Sequence, residues 1–283
     1  MNNIIDGKAI AKKINQKTAT KVKELKKQGI NTKLAVVLIG DDKPSKKYVK
    51  KKEQAAGSVG IEFELFHFDA DISMEDIVKE IEKIQSDKTL SGLIVQIPLP
   101  DHLYTPRVLN AIKPELDVDC LTDANLGKLV KHTNYITPPT PAAVMNVLEE
   151  INFNVKGKEV IIIGTGALVG KPLAIMMINA GASVTTCNEF TKNIKEKCLR
   201  ADVIATAVGK KDILSADMVS DGTIVIDTGI HFDENKIRGD VDFEEVKKKA
   251  DYVTPTPGGI GPITVARLLL NTVMCAGRDV KGS

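Results

Sequence analysis

Near-continuous apolar runs constrain the fold of this chain more than any other feature. Residues 34–39, 93–97 and 159–163 consist mostly of Val, Ile and Leu with few polar interruptions. A strand that is apolar on both sides is buried on both faces, which is typical of a parallel sheet covered by helices. Helical patterns separate these runs, so the sequence predicts an α/β protein with parallel sheets.

Capping signals mark the ends of the first helices. Asp6 is placed to cap a helix that runs to about Gly29, where glycine suits the position after a helix. A lysine-rich helix is predicted to start after Ser45 and to end near Gly57, and a capping box at Ser73 opens another helix. Further strands are predicted at residues 61–66, 183–187, 202–207, 223–227 and around Tyr252.

The chain is predicted to form two lobes. Residues 117–140 contain turn formers and few periodic apolar positions, so we place the hinge there. Thr140 and Pro141 have the form of an N-cap followed by proline at the first helical position. The expected domains are residues 1–139, completed by a last helix within 264–283 that starts at about Thr264, and residues 140–263, with a cleft between them.

Composition excludes several classes of protein. The 283 residues include 39 basic and 37 acidic side chains, a net charge of +2 that gives no reason to expect nucleic acid as a partner. No apolar run reaches membrane-spanning length and no signal-peptide layout opens the chain, so we expect a cytoplasmic protein. The cysteines, at 120, 187, 198 and 275, lack Cys-x-x-Cys spacing, which favours buried or incidental thiols over a disulfide or a zinc site. We expect no metal.

A proline- and glycine-rich segment at residues 255–264 is the most unusual loop. It holds three prolines and three glycines, which makes the backbone rigid at some points and open to positive φ at others. Glycine also lets a ligand approach the main chain closely. We interpret the segment as a ligand-facing loop; the alternative is a plain turn before the closing helix.

A second glycine loop follows the strand at residues 159–163. Gly164, Gly166 and Gly170 stand between that strand and a predicted helix, the context in which a dinucleotide pyrophosphate meets a helix N-terminus. The spacing is Gly-x-Gly-x-x-x-Gly, which departs from the usual fingerprint, so a structural turn is the alternative. Glu189, just after the strand at 183–187, stands where an acidic residue would meet the adenosine ribose.

The helix that starts after Ser45 carries two signals. Five of residues 45–52 are lysines, and we interpret Lys46, Lys47, Lys50 and Lys51 as a solvated face. Tyr48 and Lys52 are four residues apart and share one side of the helix. A ring beside an amine could hold a flat ligand and supply an acid or base if burial lowers the lysine pKa. The alternative is a tyrosine that packs on a lysine stem.

Taken together, these segments resemble the bifunctional methylenetetrahydrofolate dehydrogenase/methenyltetrahydrofolate cyclohydrolase family over nearly the whole chain. The motifs that carry the resemblance, besides the proline- and glycine-rich loop, are Ser45-x-x-Tyr48-x-x-x-Lys52, residues 95–100 (Val-Gln-Ile-Pro-Leu-Pro), Asp117-Val-Asp119, Asn125-x-Gly127, Thr140-Pro141, Asp227-x-Gly-Ile230 and Gly239-Asp-Val241.

The resemblance implies folate on the first lobe and a nicotinamide nucleotide on the second. Tyr48 would stack on the folate, Lys52 would be the main catalytic group with help from Gln96, and Asp119 would anchor the pterin. Lys52 would need a depressed pKa, because a cationic intermediate is better tolerated beside a neutral amine. Pro257, Gly258 and Gly261 would line the opposite wall of the folate site. The expected nucleotide-binding residues are Gly164, Thr165, Gly166, Gly170, Glu189 and Ile230.

Several positions depart from the family pattern. The family usually has serine at Gly166, often arginine at Thr165, and His-Ser or His-Arg at residues 188–189, where this chain reads Asn-Glu. A glutamate at 189 would accept bonds from a free ribose 2′-hydroxyl and repel a 2′-phosphate, which favours NAD, although NADP is the family habit. Cys120 replaces a usual glycine and is expected to crowd the pterin end, and Pro139 replaces a common cysteine.

The resemblance also implies partners and leaves alternatives. The lysine face could attract the polyglutamate tail of a cellular folate, and a homodimer through the nucleotide lobe is the family expectation. One alternative is a cyclohydrolase whose dehydrogenase activity is weakened by the altered nucleotide loop. The other is a catalytically inactive nucleotide-binding regulatory or scaffold protein. The joint presence of Tyr48, Lys52, Gln96 and Asp119 speaks against the second.

Overall fold

The computed structural model describes residues 3–233 and 236–278, which form two compact units. The three-stranded unit comprises Lys13–Pro138 and Val265–Ser283, and the five-stranded unit comprises Met1–Lys12 and Pro139–Thr264. Each is named after its parallel sheet. The α/β class with parallel sheets, predicted from the apolar runs, is confirmed.

The three-stranded unit is built around its central strand. Its strands run in the order β2-β1-β3, all parallel. In chain order the elements are α1 (Gly7–Lys27, which starts in the other unit), β1 (Lys33–Ile39), α2 (Lys43–Val59), β2 (Glu62–Phe68), α3 (Met74–Ile84), β3 (Gly92–Val95), α4 (Pro106–Asn110) and α5 (Asp123–Val130).

Strand β1 is buried on both faces, as its apolar sequence predicts. Leu34, Val36 and Leu38 pack in one apolar core with residues of α2 and of the C-terminal helix. The alternate residues of β1 pack in a second core, with α3 and β3. Because side chains alternate across a strand, one uninterrupted apolar run supplies both cores.

Helix caps fix where α1, α2 and α3 begin. The Asp6 carboxylate accepts from the first amides of α1, and Ser73 accepts from the amide of Asp76, as predicted. Helix α2 begins earlier than predicted, because Asp42 caps it by accepting from the backbone and hydroxyl of Ser45. It ends at Val59, just before Gly60, whose φ of 84° suits a left-handed cap, and not near Gly57 as predicted.

The five-stranded unit has the strand order β10-β7-β6-β4-β5, all parallel. Its elements are α6 (Pro139–Glu150), β4 (Glu159–Ile163), α7 (Gly170–Asn179), β5 (Ser183–Cys187), α8 (Ile194–Cys198), β6 (Val203–Thr206), β7 (Ile224–Asp227), β8 (His231–Asp233), β9 (Lys236–Arg238), α9 (Phe243–Val246), β10 (Tyr252–Val253) and the start of α10 (Ile260–Ala276).

The sheet order gives this unit a doubly wound topology. Numbered within the unit, the strands follow the order 2-1-3-4-5, which reverses between β4 and β6. In open parallel sheets of this kind, ligands bind outside the carboxyl ends of the strands at the point of reversal. The glycine loop after β4 stands at that point.

Two further predicted helix starts, those of α6 and α10, are also wrong. Helix α6 begins at Pro139, so Thr140 lies inside the helix and is not its N-cap. Proline presets the first helical φ, and Pro139 takes this place before Pro141 can. Helix α10 begins at Ile260 instead of Thr264, which puts Gly261 in its first turn. Helix α5 and the antiparallel pair β8–β9 were not predicted.

The described helices include no candidate for a membrane span: none is both long enough and apolar enough. The cysteines at 120, 187, 198 and 275 carry free thiols, of which the first three are buried.

Candidate active site

Helix α2 presents Tyr48 and Lys52 one turn apart. Val49 and Ala56 bury themselves in the core that α2 shares with β1, which fixes how the helix is rotated. Tyr48 and Lys52 are both half-buried, whereas Lys46, Lys47, Lys50 and Lys51 are exposed, as predicted for a solvated face. The two candidate residues therefore lie between the buried and the exposed sides of the helix.

The amine of Lys52 is held by Gln96, which follows the end of β3. The Gln96 amide nitrogen Nε2 donates to the carbonyl of Ile97 at 2.6 Å, which turns Oε1 toward Lys52. Lys52 Nζ donates to Oε1 at 3.0 Å. The Gln96 backbone extends the pairing of β3 with β1 by donating to Val37 at 2.8 Å. Sheet pairing and side-chain bonding together fix the orientation of this amide.

Burial sets the electrostatics of the site. Removal from water lowers the pKa of Lys52 below its usual 10.5, and the negative charge of Asp119 opposes that shift. Burial likewise raises the pKa of Asp119, the Lys52 charge lowers it, and Asp117 raises it. The direction predicted for Lys52 is therefore present in the structure. On the three-stranded unit, Lys52 thus bonds Gln96 and interacts electrostatically with Asp119.

Asp117 orders the loop that carries Asp119. It is fully buried, and its carboxylate accepts from the backbone and hydroxyl of Thr122 at 2.9 and 2.7 Å and from Asn125 at 2.9 Å. Thr122 also caps α5 by accepting from the Asn125 amide. The signal for this cap in the sequence is a threonine directly before Asp123.

Tyr48 meets a different amine from the one its spacing suggests. Lys51 Nζ lies 5.8 Å from the centre of the Tyr48 ring, within cation–π range. Lys52 bonds Gln96 instead. Burial raises the pKa of the Tyr48 phenol, so the ring is neutral and suited to stacking.

In the five-stranded unit, packing leaves no room for a side chain at two of the three loop glycines. Gly164 has a φ of 113°, and a Cβ there would stand 2.3 Å from the carbonyl oxygen of Ala207. A Cβ on Gly170 would stand 1.9 Å from the carbonyl oxygen of Gly164. Around Gly166, by contrast, no described atom lies within 4 Å of a Cβ position. The fold needs glycine at 164 and 170 but leaves open space at 166, next to the half-buried Thr165.

The other predicted residues of this unit lie at loop positions. Glu189 is exposed just after β5, in a turn where Asn188 Oδ1 accepts from Phe190 N at 3.1 Å. Ile230 follows β7 and is 41% exposed. Pro257 is exposed beside Gly258, which has a φ of 108°. Neither Gly258 nor Gly261 has a described atom within 4 Å of its Cβ position.

Family comparisons match both parts of the chain. The model of the tetrahydrofolate dehydrogenase/cyclohydrolase catalytic domain matches residues 5–119, and the model of the NAD(P)-binding domain of the same enzymes matches residues 138–280. The chain belongs to the tetrahydrofolate dehydrogenase/cyclohydrolase family.

Relatives of this family match the chain from end to end. The bifunctional protein FolD of Bacillus pumilus is 42% identical over 278 residues, which are 98% of each protein. The FolD methylenetetrahydrofolate dehydrogenase/cyclohydrolase structure from Campylobacter jejuni has a TM-score of 0.95 at 40% identity, covering 98% of this chain and 99% of that one. The Trypanosoma brucei FolD complex with NADP and an inhibitor has a TM-score of 0.94 at 32% identity, covering 99% and 98%.

The backbone at Cys120, directly after Asp119, takes a conformation that favours glycine. Cys120 has a φ of 57°, in the left-handed region that costs other residues about 1–2 kcal/mol. The side chain is fully buried, and its Sγ lies 4.0 Å from the carbonyl oxygen of Ile136. Burial raises the pKa of the thiol well above its usual value, so the thiol stays protonated.

This conformation predicts an unusual response to glycine. We expect Cys120→Gly to be at least as stable as Cys120→Ala. Glycine removes the strain of the positive φ, and this gain offsets the loss of the methyl group that alanine would bury. The matched control is Ala56→Gly, fully buried within α2, where the same exchange should cost about 1 kcal/mol or more. Urea unfolding midpoints at constant slope provide the measurement. An equal penalty at both positions would contradict this account.

Proposed function

We propose that the protein oxidises 5,10-methylenetetrahydrofolate to 5,10-methenyltetrahydrofolate and hydrolyses that product to 10-formyltetrahydrofolate. The observation that supports this most is the Lys52 amine, lowered in pKa by burial and bonded to the Gln96 carbonyl oxygen at 3.0 Å. A surface lysine has no need of a fixed acceptor or of desolvation. Membership of a family with bifunctional relatives supports the same pair of reactions.

Nucleotide binding fits the loop after β4. Gly164 and Gly170 let the backbone turn tightly into α7, whose N-terminal amides suit a pyrophosphate. The open space at Gly166 leaves that approach unobstructed. We assign Gly164, Thr165, Gly166, Gly170, Glu189 and Ile230 to nucleotide binding. When bound, the nicotinamide ring supplies the acceptor for the hydride that leaves the methylene bridge.

In the first step, Lys52 acts through its charge state. Loss of hydride leaves a cationic methenyl bridge between two folate nitrogens. A neutral amine tolerates that cation, whereas an ammonium at the same place would repel it. Asp119 balances the local charge and, as in the family, would hold the amino group and ring nitrogen of the pterin. Tyr48 would stack on the folate.

In the second step, Lys52 moves a proton. Water adds its oxygen to the methenyl carbon, and the Lys52 amine takes the proton that this water releases. The added hydroxyl then loses its proton and becomes the formyl carbonyl while the bond from this carbon to N5 breaks. The electron pair of that bond stays on N5, which takes up a proton. The formyl group remains on N10. Gln96 keeps the amine lone pair directed toward the substrate.

We assign the proline- and glycine-rich loop to folate binding as well. A Cβ on Gly259 would stand 2.6 Å from the Pro255 carbonyl oxygen, so this loop is tightly folded on itself. Gly258 and Gly261 nonetheless have open space at their Cβ positions. This combination supports close approach of a ligand to the backbone at Pro257, Gly258 and Gly261.

The assay for both reactions is the absorbance of the methenyl-folate band. We expect it to grow from methylene-folate only with NAD or NADP, and supplied methenyl-folate to decay faster than in buffer. Decay without growth would indicate a cyclohydrolase with little dehydrogenase activity. Failure of both would refute the proposed function.

Lys52 can be tested against its exposed neighbour. We expect Lys52→Met to lower the rate of methenyl-folate hydrolysis at least 100-fold, because the proton acceptor is lost. With a monoglutamyl folate as substrate, which lacks the polyglutamate tail, Lys51→Met on the same helix should stay within threefold of wild type. Because the lowered pKa means that burial disfavours the charged amine, Lys52→Met should be at least as stable as wild type. Full hydrolysis by Lys52→Met would contradict the role.

The same shift predicts a pH dependence of stability. The folded pKa of Lys52 is depressed, so the unfolded state binds more protons between that pKa and 10.5. Wild type should therefore gain stability relative to Lys52→Met as pH rises through this window. Urea denaturation of both proteins at several pH values measures the difference. A constant difference would show that Lys52 titrates normally.

We further propose that NAD is used better here than in members with serine or arginine after β5. The exposed carboxylate of Glu189 would accept from a ribose 2′-hydroxyl and repel a 2′-phosphate. The test compares kcat/KM for NAD and NADP in wild type and in Glu189→Gln, which keeps the shape and removes the charge. We expect the ratio to move toward NADP by about tenfold, or roughly 1.4 kcal/mol. A strong NADP preference in wild type would refute this proposal.

The solvated lysine face supports a proposal about the folate tail. Lys47 and Lys50 are exposed on α2, one helical turn from Lys51 and Lys46 respectively, and a polyglutamate tail would be drawn to them by screened charge attraction. Longer tails should then lower KM at low salt, and this advantage should vanish at high salt. A KM independent of tail length at low salt would contradict the proposal.

We also propose a cytoplasmic homodimer that associates through the five-stranded unit. Strand β5 lies at the edge of its sheet, where unpaired backbone groups can join a second chain. Ile178, on the neighbouring helix α7, is 53% exposed, which is unusual for so large an apolar side chain.

A further inference from the structure

Two buried carboxylates lie at the carboxyl ends of the strands in the five-stranded unit. Asp227 ends β7 and is 3% exposed, and Asp240, in the turn after β9, is fully buried. Each carboxylate packs directly against a glycine. A Cβ on Gly229 would stand 1.9 Å from the Asp240 carboxylate. A Cβ on Gly239 would stand 1.7 Å from the Asp227 carboxylate. In both motifs, 227–230 and 239–241, the aspartate packs against the glycine of the other motif.

Asp240 holds the backbone of the loop that follows β6. Its carboxylate accepts from three consecutive backbone amides, those of Val208 at 2.7 Å, Gly209 at 2.8 Å and Lys210 at 2.9 Å. Gly209 has a φ of 76°, and this turned backbone brings successive amides to one anion. The Asp240 backbone amide is itself bonded to Asp227 Oδ1 at 3.1 Å. Strand β7 thus fixes Asp240, and Asp240 fixes the loop.

That loop stands where the sheet order reverses. Strands β4 and β6 are neighbours, and the carbonyl of Ala207 at the start of the loop lies against Gly164 of the glycine loop. Ligands of doubly wound sheets bind at this point. Asp240 lies behind the loop and is buried, so it acts on a ligand through the backbone it holds.

We propose that Asp240 is a positioning residue for the dehydrogenase reaction, holding residues 208–210 in the shape that receives the nicotinamide nucleotide. This inference rests on the proposed function. A carboxylate suits the task because its two oxygens can accept all three amides, whereas an asparagine would turn an NH₂ group toward at least one of them. The hydrolysis step proposed above involves no residue of this loop.

The test separates nucleotide binding from folding and from chemistry. The Kd for NAD and NADP is measured by calorimetry for wild type, Asp240→Asn and the control Asp217→Asn, an exposed carboxylate of the same unit. Both activities are then assayed. We expect Asp240→Asn to raise the nucleotide Kd and KM at least tenfold, with hydrolysis of supplied methenyl-folate within twofold of wild type. Asp217→Asn should change neither.

A second variant perturbs the loop and leaves the carboxylate in place. Gly209→Ala strains the positive φ and puts a methyl group 3.3 Å from the Ile230 carbonyl oxygen. Gly209→Ala should likewise raise the nucleotide Kd and KM while hydrolysis of supplied methenyl-folate stays near wild type. If Asp240→Asn does not fold, this variant provides the test of the proposal. Unchanged nucleotide affinity in a folded variant, or a parallel fall of both activities, would overturn the proposal. Failure of wild type in both assays would refute the proposed function instead, while the Kd comparison still tests Asp240.

Discussion

The contact between Lys52 and Gln96 is the interaction on which the proposed chemistry depends. An amine taken out of water loses hydration, and one fixed carbonyl oxygen at 3.0 Å replaces only part of it. The remaining deficit lowers the pKa of Lys52 and makes the neutral amine available. Gln96 can do this because its backbone is paired with β1 and its Nε2 is already bonded to Ile97. The reactive group is thus held by the sheet.

Both units bury charge by the same means. Asp117 is satisfied by a hydroxyl, an amide side chain and backbone N–H groups, and Asp240 by three backbone N–H groups. Such neutral donors stabilise a buried carboxylate while fixing the segments that supply them. Burial still raises the pKa of Asp227 to about 6, because desolvation there outweighs the hydrogen bonds that its carboxylate accepts. In each unit the buried acid orders a loop to which we assign a role in ligand binding.

Much of the fold followed from local sequence. An apolar strand such as β1 predicts burial on both faces, and the boundaries of β4 and β5 match the predicted ones. Helix starts were predicted wrongly where two nearby residues could each begin or cap the helix. Pro139 begins α6 before Thr140 can cap it, and Asp42 caps α2 upstream of Ser45. Contacts such as Asp240 with residues 208–210 join segments about 30 residues apart, which no local period reveals.

The central claim is that Lys52 is a desolvated amine, and its proton can be observed directly. Nitrogen-15 NMR of lysine-labelled protein, with Lys52 assigned from the Lys52→Met spectrum, would follow Nζ as a function of pH. The account predicts a titration midpoint of Lys52 clearly below 10.5 in the free protein. In Gln96→Ala this midpoint should rise only if water enters the site and hydrates the charged amine. A midpoint at the value of the exposed lysines, such as Lys50, would contradict it.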